Sequence, residues 1–244
     1  MFNNLTNEGL EETQDRLGGF APLETGIYTG EIKALYGGKS AGGATSLTVI
    51  VDFEGREYRE TLYVTNRKGE NFFLNKDDNT KKVPLPGFTV ADDICLIATG
   101  EPLANQEPEE KVIKVFDFDA KKELPTNVPM ITAAIGQKIS LGIVKQTVNK
   151  NEKQGDEWVP TAETRDENVI EKVFHPELKL TVAEARNGQE EAKFWDAWIQ
   201  KNEGQTRDKR KLKGDQGGVT GAPKAGGSAP ASSGQPRKSL FGDK

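Results

Sequence analysis

The chain has one cysteine, Cys95, and one histidine, His175, among 244 residues. A single cysteine excludes an intramolecular disulfide, and one of each leaves no Cys/His set for zinc. His175 is followed by Pro176 in a charged stretch and gives no Ser/His/Asp triad without placed partners. No G-x-S-x-G is present. Gly37-Gly38-Lys39-Ser40 has the last letters of a phosphate-binding loop but lacks its first glycine at the required spacing. Long apolar runs are also missing, so no segment reaches the ~20 residues of a membrane-spanning helix. The opening stretch MFNNLTNEGLEETQDRLGG has neither the basic start nor the apolar centre of a secretory leader. The expected setting is cytoplasmic, with no membrane partner and no cofactor.

The apolar share is low as well, at 34% against 29% charged residues, with 26 Gly and 12 Pro. Part of the chain is therefore expected outside any core. Net charge is −5, which read as an average argues against a nucleic-acid partner. The average hides a split. Residues 203–244 hold nine Lys/Arg and four Asp/Glu, whereas the rest holds 24 basic and 34 acidic residues. Residues 26–82 carry nine basic and eight acidic residues, and 83–202 carry fourteen and twenty-one. Between Gly214 and Ser239, 18 of 26 residues are Gly, Pro, Ser or Ala, too few apolar groups to offset the entropy of ordering. Three parts are expected: an N-terminal extension over 1–25, a folded domain over 26–202, and a flexible basic tail over 203–244. The basic run Arg207–Lys213 reads equally as a solubilising flank.

The domain reads mainly as β structure. Residues 26–36 predict a strand, followed by a mobile glycine-rich loop around Lys39. Residues 45–53 place Leu47, Val49, Val51 and Phe53 on one face at period two. Glu54-Gly55 signals a hairpin, and 56–66 forms the return strand, with Tyr58, Glu60, Leu62 and Val64 opposite Arg59, Thr61, Tyr63 and Thr65. Residues 88–99 have helical spacing, with Thr89 as N-cap and Gly100 as the stop. Residues 111–118 alternate. One or two strands lie within 129–149, with Gly136 and Gly142 as bend or bulge points. A charged loop follows around Trp158, then a short strand over 168–175. Glu190–Lys201 predicts an amphipathic helix with Phe194, Trp195, Trp198 and Ile199 on one side. A strand meander, a mid-chain helix and further strands suit a five-stranded oligonucleotide-binding barrel with additional helices and a disordered C-terminal tail, of mainly β class.

Two carboxylate pairs are the only candidates for metal chemistry. Asp117 and Asp119 share a strand face, and Asp92-Asp93 sit near the predicted helix start, where they favour its dipole. Both have structural readings, and Cys95 reads as a small buried hydrophobe. Basic–aromatic interleaving is stronger. Single-strand binding needs a basic groove that tracks the backbone and flat side chains on which bases stack. Lys33, Lys39, Arg59, Arg67 and Lys68 are the candidate phosphate contacts. Tyr36, Tyr63, Phe72 and Phe73 are the candidate stacking groups. Each has a competing use: Tyr36 and Tyr63 as edge aromatics over a core, Phe72 and Phe73 as fillers of a barrel mouth, Arg59 as a cross-strand partner of Glu57 or Glu60.

The segment TLYVTNRKGENFFLNKD…KKVPLPGFTVADDICLIATG, residues 61–100, resembles single-stranded DNA-binding proteins from the replication regions of tailed bacteriophages. They are oligonucleotide-binding-fold proteins broadly similar in role to the T7-type phage protein. The resemblance implies non-catalytic coating and protection of single-stranded DNA in replication and recombination, with Tyr63, Arg67, Lys68, Phe72 and Phe73 in the binding positions. Many such proteins end in an acidic tail that recruits replication proteins. This chain ends RKSLFGDK, so either Leu240 and Phe241 form the contact with replication proteins, with basic flanks instead, or the tail contacts DNA itself. Two rivals remain: a phage structural or interaction protein, and a metal-dependent nuclease using Asp117. Exposed strand edges could also pair two subunits into a homo-oligomer.

Overall fold

The computed structural model describes residues 21–117, 120–155 and 157–211, without the side chains of Asp117 and Glu157. Asp119, Leu240, Phe241 and the Gly/Pro/Ser/Ala-rich stretch lie outside the described residues, as do residues 1–20.

The first three strands form where the period-two pattern places them. β1 (Gly26–Lys39), β2 (Thr45–Phe53) and β3 (Arg56–Tyr63) make an antiparallel meander. The β2–β3 turn has φ of 53° at Glu54 and 92° at Gly55. Positive φ at both central residues matches the right-handed twist of the flanking strands. β1 runs through Lys39, so the loop that follows is shorter than the glycines suggest. A register shift between Ile32 and Ala34 lets β1 place both Ile32 and Leu35 in the main core.

A small hairpin of β4 (Phe72–Leu74) and β5 (Lys82–Pro84) leads into α1 (Pro86–Thr99). The helix starts earlier than its apolar spacing suggests. Leu85 is the N-cap with no side-chain cap bond, Pro86 fills the first turn, and Gly100 closes the helix at φ 81°. Proline suits that first position because its missing N–H has no intrahelical partner there. Thr89 is thus inside the helix, bonding back to the Leu85 carbonyl. Asp92 and Asp93 are mid-helix, beyond the reach of the dipole.

β6 (Glu109–Asp117) and β7 (Lys122–Met130) form a second hairpin, joined to β1 through Tyr36 and Met130. β8 (Lys138–Gln154) and β9 (Glu157–Phe174) form one long antiparallel ladder. Its register shifts at Gly142, one of the expected bulge points. Trp158 therefore belongs to a strand, opposite Lys153, rather than to a loop. The helices α2 (Val182–Arg186) and α3 (Lys193–Asn202) follow, with Trp198 buried against Phe174 and Val144. β10 (Thr206–Asp208) then pairs parallel to β8, within the stretch that composition assigns to the tail. Residues 23–25 also pack onto the body: the Asn168 side chain holds both backbone groups of Leu23 at 2.7 and 2.8 Å.

The protein is mainly β, with an eight-stranded sheet and the β4–β5 pair. Within the larger sheet β3, β2, β1, β8 and β9 follow one another as antiparallel neighbours. Among the described residues no ladder joins β9 back to β3, and a closed five-stranded barrel is not formed by backbone pairing. The seam is bridged by a side chain instead. The Glu60 carboxylate accepts from the Ile170 N–H at 2.7 Å and from the Tyr58 hydroxyl at 2.5 Å. Burial pushes the carboxyl of Glu60 above its ordinary range. Apolar side chains of α1, including Ile94 and Cys95, complete the core enclosed by these strands.

Candidate nucleic-acid interface

The outer face of the meander is built in rungs. Ala34, Ile50 and Arg59 make one; Tyr36, Thr48 and Thr61 the next; Gly38, Ser46 and Tyr63 the last. Ile113, Val115, Val128 and Met130 of the β6–β7 hairpin pack with Ala34, Tyr36 and Ile50. As a result Tyr36, Ser46 and Thr48 are buried, Tyr36 to 5% exposure. Arg59, Thr61 and Tyr63 on β3 stay open, Tyr63 at 55%.

This geometry sorts the predicted residues. Tyr36 is closed to a stacking base: its ring is buried and its hydroxyl accepts from the Arg59 guanidinium, which also lies 5.9 Å from the ring centroid. Arg59 turns to Tyr36 and pairs with neither Glu57 nor Glu60. Lys33 sits at the β1 irregularity with its ammonium 2.7 Å from Glu31. Lys39 is six positions further along the strand, about 20 Å at the rise of an extended chain, so Lys33 stands apart from the others.

The remaining residues converge at one end of the meander. Lys39 closes β1 and is exposed. Arg67 runs along the β1–β2 loop, where a Cβ at Gly42 would meet its Nε at 3.1 Å. Lys68 is held in a turn by the Asn66 side chain, which accepts from the N–H groups of Lys68 and Glu70 at 2.9 and 3.0 Å. Gly87 locks the start of α1 against the end of β3: a Cβ there would fall 2.4 Å from the Tyr63 carbonyl oxygen. Phe72 and Phe73 are successive residues of β4 and so point to opposite faces. Phe72 is capped by Lys82, with the ammonium 4.2 Å from the ring centroid, and Phe73 is 39% exposed. At most one of the two rings can face a given strand of nucleic acid. Among the described residues Lys39, Arg59, Arg67, Lys68 and Lys82 form no ion pair.

Sequence spacing missed three features here: the covering of β1 and β2, the contact of Arg67 with Gly42, and the role of Lys82. The first two join segments far apart in the chain. Lys82 is ten residues from Phe72 in sequence, and only the β4–β5 pairing puts it on that ring.

Asp92, Asp93, Cys95 and His175 are tied into the fold. Asp92 accepts from the Leu103 N–H at 2.9 Å and lies 3.9 Å from Arg186. Asp93 is buried, and desolvation pushes its pKa up to about 6 against the pull of Lys172. Burial likewise raises the Cys95 thiol to about 12, which keeps it protonated and poorly nucleophilic. His175 Nδ1 accepts from the backbone N–H groups of Glu177 and Leu178. Among the described residues no group of three His, Cys, Asp or Glu could hold a metal ion. No helix among them is long and apolar enough to cross a membrane. No protein-family model, curated protein or solved structure matches this chain.

Proposed function

We propose that this protein binds single-stranded DNA without sequence preference, through the β3 end of the meander. The observation that carries this reading is the grouping of Tyr63, exposed and flat, with Lys39, Arg67 and Lys68, none of which is neutralised by a carboxylate among the described residues. Phosphates bind such cations with release of counterions, and bases stack on exposed rings at ~1–3 kcal/mol each. Phe72 or Phe73 extends the surface across the β4–β5 hairpin, and Arg59 lies at its inner border. β1, β2, β3, β8 and β9 are read as the five strands of a partly open oligonucleotide-binding barrel. The helix falls between the third and fourth of them, and Glu60 bridges the open seam. In that architecture the face of strands two and three and the loop after strand one bind oligonucleotides. This fold-level analogy supports the reading but does not carry it. The resemblance of residues 61–100 to phage single-stranded DNA-binding proteins adds the proposed setting, coating of DNA in replication and recombination.

Fluorescence anisotropy with labelled oligo-dT, repeated across salt, tests the proposal. Binding should be present at low salt and weaken steeply as salt rises. Absence of binding at low salt overturns it. Duplex DNA and oligo-U arms separate single-strand DNA preference from general polyanion binding.

A further inference from the structure

The β6–β7 hairpin has two outer edges that are built differently. β7 carries Pro125 and Pro129, which lack the N–H that a further ladder requires, and its end is already joined to β1 at Met130. β6 has no proline and, among the described residues, pairs with no strand but β7. Its side chains also divide. Ile113 and Val115 pack toward Tyr36. On the other face Glu110, Val112 and Lys114 are in a row, with Val112 at 69% exposure. Glu110 and Lys114 are in no ion pair among the described residues, whereas Lys111 is held by Glu109 at 2.8 Å.

We propose that β6 is an interface between two copies of this chain, paired antiparallel about a two-fold axis at Val112. The occupant is read from charge. The order Glu110, Val112, Lys114 is its own complement on reversal: Val112 meets Val112, and Glu110 of each copy lies opposite Lys114 of the other. Lysines on an edge strand normally repel a foreign strand, and only a strand with carboxylates at matching positions cancels them. Backbone bonds then carry the sheet from one copy into the next, as in other strand-addition contacts, and the contact closes on itself as a dimer. The interface lies on the hairpin rather than on β3, so dimerisation does not require nucleic acid.

Sedimentation velocity of the full chain without nucleic acid, over a range of micromolar concentrations, tests this. A concentration-dependent dimer is expected. Glu110→Lys alone or Lys114→Glu alone places like charges opposite each other twice per interface and should weaken the dimer about tenfold. The double variant Glu110→Lys/Lys114→Glu restores the complement and should restore the dimer. Circular dichroism confirms that the single variants stay folded, and the rescue itself cannot arise from misfolding. A chain monomeric at every concentration overturns the proposal. So does a dimer indifferent to the single changes, or one that the double change fails to restore. No DNA enters the measurement, so its failure leaves the binding proposal standing.

Discussion

Residues 145–211 hold thirteen Lys and Arg and residues 39–82 hold eight, and among the described residues seven of the thirteen are in ion pairs against one of the eight. In the later region Lys145 reaches Glu24 and Asp166, Lys150 reaches Glu163, and Arg165 reaches Glu167. Arg207 joins Glu171 and Arg210 joins Asp208. In the earlier region Lys81 is paired with Asp78, while Lys39, Arg59, Arg67, Lys68 and Lys82 form no ion pair among the described residues. A cation already against a carboxylate must give up that partner to take a phosphate. A free one gives up only water and counterions. Net charge by segment, +1 over residues 26–82, conveys little of this difference, because it is made by which side chains the fold brings together.

Removing both kinds of cation in parallel separates pairing from total charge. Tyr63→Ala combined with Arg67→Ala and Lys68→Ala should lower oligo-dT affinity by at least ~100-fold, about 2.7 kcal/mol. The slope of log affinity against log salt should fall by roughly 0.7 for each lost phosphate contact on a single strand. Lys150→Ala combined with Arg210→Ala removes as many cations from the later region and should leave affinity unchanged. Anisotropy titrations on both variants decide it. Equal losses would mean that pairing is irrelevant and only total charge matters.

The elements of the fold and of the proposed binding surface were unequally legible in the sequence. Strand β2 and its turn could be read directly, because alternation and Glu54-Gly55 are local signals. The helix could be read too, and Pro86 marked its true start, although Thr89 looked the better cap. Tyr36 is the instructive miss. Beside Lys39 on a strand end it has every local mark of a stacking residue. What buries it is a hairpin about ninety residues further along, and no window of sequence reports that contact. Trp158 and the long β8–β9 ladder were missed for a related reason. Their strands extend beyond the core as charged, polar ribbons, so the apolar alternation that signals a half-buried strand is absent. Thr206–Asp208 was hidden by composition: a basic run reads as tail until β8 offers it a partner.

The contrast between paired and unpaired groups recurs among the carboxylates. Asp93 is buried in α1, and desolvation holds its pKa near 6 instead of the ordinary 3.8, with Lys172 pulling the other way. Between these values the folded protein keeps a proton that the unfolded chain has released. Stability therefore falls as pH rises through that window, and the penalty is complete at neutral pH. Asp93→Asn removes the charge at nearly constant size. It should raise stability at neutral pH by about 2 kcal/mol and flatten the dependence between pH ~4 and ~6. Urea unfolding across pH measures both. A destabilised variant would show that Lys172 and Arg186 compensate the charge fully.

Glu171 is the paired counterpart. Burial disfavours its charge, but the Arg207 pair and the Trp198 indole N–H, at 2.8 Å, outweigh that, and its pKa lies below the ordinary range. Its contribution is present above the unfolded-state pKa and fades as pH falls, opposite in sign to that of Asp93. Glu171→Ala leaves the Trp198 N–H without its acceptor and takes from Arg207 its carboxylate partner on β9, leaving the bond to the Asn202 side chain at 2.7 Å. A loss of about 1–2 kcal/mol in urea unfolding is expected, the lower part of the range for a half-buried hydrogen-bonded charge. Oligo-dT affinity should not fall, and with its carboxylate gone Arg207 should add a rise of no more than about twofold at low salt. A parallel loss of affinity would place Arg207 and its neighbours in the DNA path.

The smallest expected effect tests the comparison from the other side. Lys150 and Glu163 face each other at 2.9 Å across the β8–β9 ladder, both largely exposed. Such a pair contributes under ~0.5 kcal/mol to stability, so Glu163→Gln should leave the unfolding curve in place. It does, however, release Lys150 and remove one negative charge. If pairing is what keeps the later cations away from nucleic acid, oligo-dT affinity should rise about twofold at low salt and return to the parent value at high salt. No rise at low salt would mean that Lys150 is silent because of where it stands rather than because of what it touches. The binding surface would then be defined by the position of β3 alone.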